Sequence, residues 1–219
     1  MNNKRLLAAA ASACLAVLAN SAIAGGFNYT FAELGYRNLD ADSIEGDGFR
    51  ASFSFGATEY IHVVGDYSRL WVDEFDGTIS GHSTYTDVNL DIDEFKIGFG
   101  GHYPITDKID IVGQVTYVDD EITGDVKVPD PDNPPNLIKT NINDSEEGYE
   151  ATLFGRIQAT KKFELTPHVV HRDVGSDSDT GFGLGLVYQL NRKFALRIRG
   201  THFSDDSATN LFAGLRLYM

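Results

Sequence analysis

Cysteine is nearly absent from this chain. Its one cysteine, Cys14, lies in an apolar stretch close to the amino terminus. A lipoprotein would carry its lipid on this residue, but the apolar run before it is very short and the usual leucine three residues upstream is missing. If the stretch is instead a secretory signal that is removed, the mature chain has no thiol and no disulfide.

Long apolar runs are also absent. Residues 6–18 form the main apolar stretch, which is too short for a spanning helix, and no later run reaches about 18 apolar residues. Lys4 and Arg5 precede this stretch, and the small-x-small sequence at residues 22–24 follows it. These features predict a Sec-type signal peptide over residues 1–24 and one mature domain over residues 25–219.

Basic residues are few relative to acidic ones. The chain has 18 Lys and Arg against 32 Asp and Glu, which gives a formal net charge of −14. Such an acidic chain argues against a nucleic-acid partner, which requires a basic protein face. Hydrophobic residues make up only 42% of the chain. That middling value is typical of a membrane barrel, in which only alternate residues face lipid.

A helical period of 3.6 residues is missing as well, and an alternating pattern takes its place. In Phe49-Arg50-Ala51-Ser52-Phe53-Ser54-Phe55, odd positions are apolar and even positions are polar. This alternation indicates a strand with one apolar and one polar face. It recurs along the chain and predicts ten strands, near residues 27–37, 48–57, 60–70, 88–103, 109–118, 149–159, 163–172, 181–190, 194–203 and 209–219.

The predicted connections alternate between short and long. The short ones are residues 58–59, 104–108, 160–162 and 191–193, and the long, acidic ones are 38–47, 71–87, 119–148, 173–180 and 204–208. Outer-membrane barrels have short periplasmic turns and long outer loops. The predicted fold class is therefore all-β: a transmembrane antiparallel up-and-down β-barrel of ten strands, with eight as the alternative. Clustered prolines within 119–148 favour extended, poorly ordered chain, either an adhesive arm or an exposed tip.

The alternation also assigns the two faces of the wall. Arg50 on the lipid face would cost about 2–4 kcal/mol at the membrane midplane, so the apolar parity is placed outside. The opposite parity then forms a lumen-facing network of structural charges. Its predicted members are Glu33, Arg50, Asp66, Glu94, Lys96, Glu150, Arg156, Arg172, Arg197, Arg199 and Arg216, with Asp110 and Glu164 on the same face.

Catalytic motifs are weak. His202-Phe203-Ser204 resembles the His-x-Ser arrangement of barrel lipid A deacylases, but no glutamate follows in the last strand to orient the histidine. The sequence therefore predicts no catalytic residues and no cofactor.

Metal-binding patterns are weak too. His168 and His171 are three apart on a strand, so they point to opposite faces and cannot share a metal. Acidic clusters at residues 73–76, 119–121 and 144–147 offer oxygen ligands of the kind that calcium or magnesium prefers. We hypothesise weak, nonspecific binding of divalent cations there, bridging to lipopolysaccharide phosphates.

The chain resembles the small outer-membrane β-barrel proteins of Gram-negative bacteria, above all the ten-stranded, porin-like family associated with activators of plant immunity. The similar segments are residues 29–36, 46–49, 64–69, 95–100 and 211–219. The resemblance implies an outer-membrane address, insertion by the barrel assembly machinery and no settled biochemical activity. Such barrels usually end in an aromatic residue, whereas here Tyr218 is followed by Met219.

The sequence predicts a monomeric, non-enzymatic outer-membrane barrel, exported through the periplasm, with a structural or surface-interaction role among outer-membrane lipids and lipopolysaccharide. One alternative is a narrow, porin-like channel for small solutes drawn by an acidic mouth. Others are an outer-membrane lipid hydrolase and a soluble, secreted β-sandwich or lipocalin-like barrel.

Overall fold

The protein is a closed antiparallel barrel in the computed structural model, which describes residues 23–24, 26–41, 44–75, 88–129, 137–204 and 207–219. Each strand pairs with its neighbours in sequence, and the last strand closes the ring against the first. The strands are β1 Phe31–Ala41, β2 Ile44–Gly56, β3 Ile61–Phe75, β4 Val88–Thr106, β5 Ile109–Pro129, β6 Leu137–Gln158, β7 Phe163–Val174, β8 Asp177–Gln189, β9 Phe194–Phe203 and β10 Thr209–Tyr218. The ten-stranded prediction is confirmed over the eight-stranded alternative.

Three of the predicted long connections were wrong, because strand pairing continues through most of their length. The connection at residues 38–47 shortens to residues 42–43, since β1 and β2 pair as far as Ala41 and Ile44. β7 and β8 are joined by a two-residue turn in which Gly175 has a φ of 62°, a conformation that glycine adopts without strain. β5 and β6 stay paired as far as Pro129 and Leu137.

These errors share a physical cause. Beyond the membrane both faces of a hairpin meet water, so acidic residues occupy strands there and the apolar alternation that marks a strand disappears. The predicted connection at residues 71–87 lies partly in β3, and its residues 76–87 are outside the described part of the chain. Most of the clustered prolines, at residues 130–136, are also outside it, and Pro129 ends β5.

The start of the first predicted strand was also wrong. Phe27 and Asn28 pair with Ile23 and Ala24 in a separate two-stranded ladder, and β1 begins only at Phe31. Gly26 has a φ of 86°, and the Asn28 side chain accepts a hydrogen bond from the Thr30 amide at 2.7 Å. This local turn directs residues 27–30 into the end of the barrel. The rest of the predicted signal segment lies outside the described residues, so its removal remains a prediction.

The outer surface of the barrel is an apolar belt. Its exposed large side chains include Leu34, Tyr36, Phe95, Ile97, Phe99, Tyr103, Val115, Tyr117, Tyr149, Leu153, Val169, Phe182, Leu184, Ile198, Leu211 and Leu215. Phe53 lies over Gly65 on the same face. The buried side chains inside the barrel are largely polar or charged. This distribution is the reverse of that in a water-soluble barrel and is the one a membrane-spanning barrel requires.

The described residues contain no helix that is long and apolar enough to span a membrane.

Candidate functional site: the charged interior

The connections of the barrel lie at two ends. One end has connections of two to four residues, and the long hairpin of β5 and β6 extends from the other. We call these the turn end, with residues 57–60, 107–108, 159–162 and 190–193, and the loop end. Because cross-strand partners point to the same face, the register brings inward-facing polar residues from all parts of the chain into one interior. That interior divides into three layers.

The loop-end layer is organised around one carboxylate. Glu94 on β4 is 4% exposed. It accepts hydrogen bonds from Arg37 at 2.9 Å and Arg172 at 2.5 Å, and the Lys96 ammonium lies 3.4 Å from it. Arg172 also pairs with Asp120. Buried charges of both signs must be mutually paired to be tolerated at this depth, and here three cations share one central anion.

The middle layer consists of separate pairs. Arg50 donates to Asp66 at 2.6 Å, and Lys96 donates to Glu150 at 2.6 Å. A further carboxylate, Glu33 on β1, is shared by two cations. It accepts hydrogen bonds from Arg216 at 2.7 Å, Arg197 at 3.1 Å and the Ser52 hydroxyl at 3.2 Å. Arg50 therefore points inward in this hairpin, with Asp66 on the next strand, not Glu33, as its carboxylate partner.

The turn-end layer contains the amino-terminal segment, residues 27–30. Arg156 makes a bidentate ion pair with Glu164, at 2.7 and 2.9 Å. Its guanidinium lies 4.6 Å from the ring centroids of Phe27 and Tyr29 and donates to the Asn28 carbonyl at 3.1 Å. A buried guanidinium thus holds this segment through cation–π contacts and a hydrogen bond together.

Tyr29 completes the closure of the turn end. Its hydroxyl donates to Asp110 at 2.7 Å, and its ring stacks on that of His102, with centroids 3.7 Å apart and planes 11° apart. The His62 ring also stacks with Tyr29, with centroids 5.1 Å apart, and lies 5.7 Å from the His102 ring. Tyr29 is 2% exposed. The alternation predicts Arg156, Glu164 and Asp110 of this layer but not the inward position of Phe27 and Tyr29, because both fit the alternation of the strand that follows them.

Two small cavities remain between the layers. The larger, of about 110 Å³, lies between the turn-end and middle layers, and the smaller, of about 30 Å³, lies towards the loop end. Four charged side chains line both cavities and separate them: Arg50, Lys96, Glu150 and Arg199. A cavity needs at least about 10–15 Å³ of such volume to hold a water, so both cavities have room for ordered water.

The predicted interior residues all lie in these layers. Arg199 differs from the others, because its Nε donates to His168 Nε2 at 3.2 Å and the described residues include no carboxylate within 4.0 Å of it. His168 also meets the Thr201 hydroxyl at 2.9 Å. His171 points to the opposite face and contacts Thr180.

The weak catalytic and metal patterns do not assemble into sites. Ser204 donates to the Thr180 carbonyl at 2.6 Å, and the His202 ring contacts the Thr209 hydroxyl at 3.2 Å, so each has a separate partner. Across the described ranges, no three His, Cys, Asp or Glu side chains converge as a metal site requires. The side chains of residues 73–76 lie outside those ranges.

The sequence matches no protein-family model and no curated protein. Among solved structures, the chain is similar to the KdgM porin in complex with disordered oligogalacturonate, with a TM-score of 0.47, 11% identity and coverage of 85% of this chain and 99% of that one. It is also similar to Neisserial surface protein A (TM-score 0.42, 9% identity, 87% and 96% covered). A third is Ail, the attachment invasion locus protein of Yersinia pestis (TM-score 0.40, 10% identity, 86% and 97% covered).

Proposed function

We propose that this chain is a non-enzymatic barrel of the bacterial outer membrane whose interior is closed and whose work is done at its outer surface. The observation that carries the proposal is the turn-end layer. There the rings of Phe27 and Tyr29 fill the lumen beneath Arg156, and the two cavities found among the described residues measure about 110 and 30 Å³. A barrel of ten strands has an interior that side chains can fill.

The apolar belt supports the membrane location. A monomeric protein in water rarely exposes a continuous apolar surface of this extent, because such surfaces associate. Surrounded by lipid, the same surface is satisfied without a protein partner, so a monomer is the simplest state. Outer-membrane lipids and lipopolysaccharide are then the proposed neighbours of the belt. Export through the periplasm and insertion by the barrel assembly machinery follow from the location.

The projecting hairpin of β5 and β6 supports a role at the surface. Beyond the exposed aromatic pair Tyr117 and Tyr149, the two strands continue from Val118↔Gly148 to Pro129↔Leu137. At ~3.4 Å per residue this part of the hairpin is about 40 Å long, measured along the strands. β6 and β7 separate at Gly148 and Val174, so the described residues place no strand beside residues 137–147 of β6. A strand edge of this kind offers backbone groups to a partner.

Recording from planar bilayers tests the closed interior. The refolded protein is expected to insert and to give no steady conductance at either polarity. Arg156→Ala with Tyr29→Ala removes the side chains that close the turn end and is expected to raise conductance. Tyr103→Ala, an exposed belt position, is the matched control and stays silent. Steady ohmic current through the unaltered protein would contradict closure and favour a channel.

A narrow channel is the second candidate, and the pair of internal cavities favours it. Opening it would require Arg50, Lys96, Glu150 and Arg199 to part between the cavities and the Tyr29 segment to leave the turn end. The location is tested separately by cell fractionation and by the gel mobility of unheated protein. Recovery in the soluble periplasm would contradict the membrane proposal whatever the conductance.

A further inference from the structure

The larger interior cavity carries an excess of positive charge. Its lining includes six basic and four acidic side chains, an excess of two positive charges. Each of the four carboxylates already has a cationic partner. Glu33 is bound by Arg197 and Arg216, while Asp66, Glu150 and Glu164 are bound by Arg50, Lys96 and Arg156 respectively. The described carboxylates that line the cavity are therefore all engaged.

Arg199 is the cation that this pairing leaves over. Its one hydrogen bond within the described chain is from Nε to His168, which leaves the terminal guanidinium nitrogens of this cavity-lining residue without a described partner. Arg50 and Arg197 act on it with like charge, and the opposite charges of Glu150 and Asp66 offset this less strongly. A guanidinium in such surroundings is stabilised by an anion that can accept its remaining donors.

Two further donors on the same cavity have no partner. The Nε of Arg197 and the hydroxyl of Thr166 are buried and make no hydrogen bond with the described residues. Buried polar atoms in native proteins are nearly always satisfied by protein, water or an ion. These two, with the Arg199 guanidinium, surround one space from β7 and β9.

The strand between β7 and β9 lets side chains from β7 approach its backbone closely. β8 presents Gly183 and Gly185 to the interior. A Cβ at Gly185 would collide with the Thr166 hydroxyl, and a Cβ at Gly183 would lie 2.8 Å from the His168 ring. The two glycines thus let the Thr166 hydroxyl and the His168 ring pack directly against the backbone of β8.

We propose that this cavity binds one small inorganic anion, of the size of chloride or phosphate, between Arg199, Arg197 and Thr166. The anion accepts hydrogen bonds from both guanidinium groups and from the threonine hydroxyl, and it offsets the excess positive charge of the lining. The site is a ligand site inside the wall of the barrel. It is independent of the surface role and of whether the barrel conducts.

Anomalous diffraction tests the site in the unaltered protein. Crystals grown with bromide in place of chloride are expected to show an anomalous peak within hydrogen-bond distance of the Arg199 guanidinium. Crystals grown with phosphate distinguish a chloride-sized site from one that accepts an oxyanion. Ordered water alone in the cavity under both conditions, or bromide only at the outer surface, would overturn the proposal.

Thermal unfolding in detergent provides a second test at constant ionic strength. The Tm is expected to be about 2–4 °C or more higher in chloride or phosphate than in gluconate, which is too large for the cavity. Arg199→Gln should lose this difference, and Thr166→Val should reduce it. Arg192→Gln, the same charge change in an exposed turn, should keep it. Equal Tm values in all three salts, or a full difference in Arg199→Gln, would refute the site.

Discussion

At the turn end of the barrel interior, the rings of Phe27 and Tyr29 pack beneath Arg156, whereas at the loop end the carboxylate of Glu94 holds three cationic side chains. Both ends are buried, but one is closed by stacked rings with a single ion pair and the other by a cluster of charges. The two rings that close the turn end come from one short segment, residues 27–29. The charged side chains of the loop end come from strands scattered along the chain.

The difference shows what each closure depends on. Stacked rings act through contact area and dispersion, which tolerate the loss of one hydrogen bond. A charge cluster acts through compensation, so the loss of its central anion leaves Arg37 without a carboxylate and Arg172 and Lys96 with one each, in a poorly hydrated space. We therefore expect single substitutions to cost more at the loop end than at the turn end.

The largest effect is expected for Glu94→Gln. The amide keeps the shape but removes the charge that Arg37, Arg172 and Lys96 share, and the loss of one partner from a buried ion pair typically costs about 3–5 kcal/mol. Urea or guanidinium unfolding of the refolded barrel would measure the loss. Glu45→Gln, an exposed position at the same end, is the control and should change little. An equal, small change in both variants would contradict the central role of Glu94.

A smaller effect is expected for Tyr29→Phe. The ring remains stacked on His102, but Asp110, which is 0% exposed, loses the hydroxyl that donates to it. An unsatisfied buried polar group costs about 1–3 kcal/mol. The same unfolding measurement applies, with Tyr103→Phe in the exposed belt as its control. A loss equal to that of Glu94→Gln would remove the proposed distinction between the two ends.

Gly100→Ala sharpens the account of the turn end, because it leaves every polar group in place. A Cβ at Gly100 would lie 2.7 Å from the Gln114 side chain and would collide with the His62 ring, which stacks on Tyr29. Overpacking of this kind costs about 1–3 kcal/mol. Gly113→Ala is the matched control, since a Cβ there meets nothing within 4 Å. Equal unfolding midpoints in the two variants would mean that His62 moves without cost.

The sequence was sufficient for the barrel and for its inner face, because the two-residue period is strict wherever one face meets lipid. It was insufficient at both ends, for different reasons. At the loop end, β5 and β6 continue through acidic residues that carry no apolar alternation. The sequence therefore predicts a loop over residues 119–129, which the structure shows as part of β5. At the turn end, Phe27 and Tyr29 have the period of a strand, but their rings lie inside the barrel. This position depends on contacts with Arg156, which is far along the chain.

Pairing between charges was beyond the sequence for a related reason. Alternation places Arg50 and Glu33 on one face, but which carboxylate Arg50 reaches depends on side-chain length and on the stagger between strands. In the structure Arg50 pairs with Asp66, and Glu33 pairs with Arg197 and Arg216. These pairs leave Arg199 as the described basic residue lining the larger cavity that has no carboxylate partner.

The smallest effect is expected for Arg69→Gln, on the outer face of β3. Arg69 pairs with Asp91 across the strands, but the two side chains are 36% and 27% exposed. Exposed ion pairs contribute about 0–1 kcal/mol because water and salt screen them. The unfolding free energy of this variant should therefore stay within about 1 kcal/mol of the unaltered protein. A loss as large as that of Glu94→Gln would show that burial does not separate the two kinds of ion pair, and the contrast between the barrel's interior and its surface would fail with it.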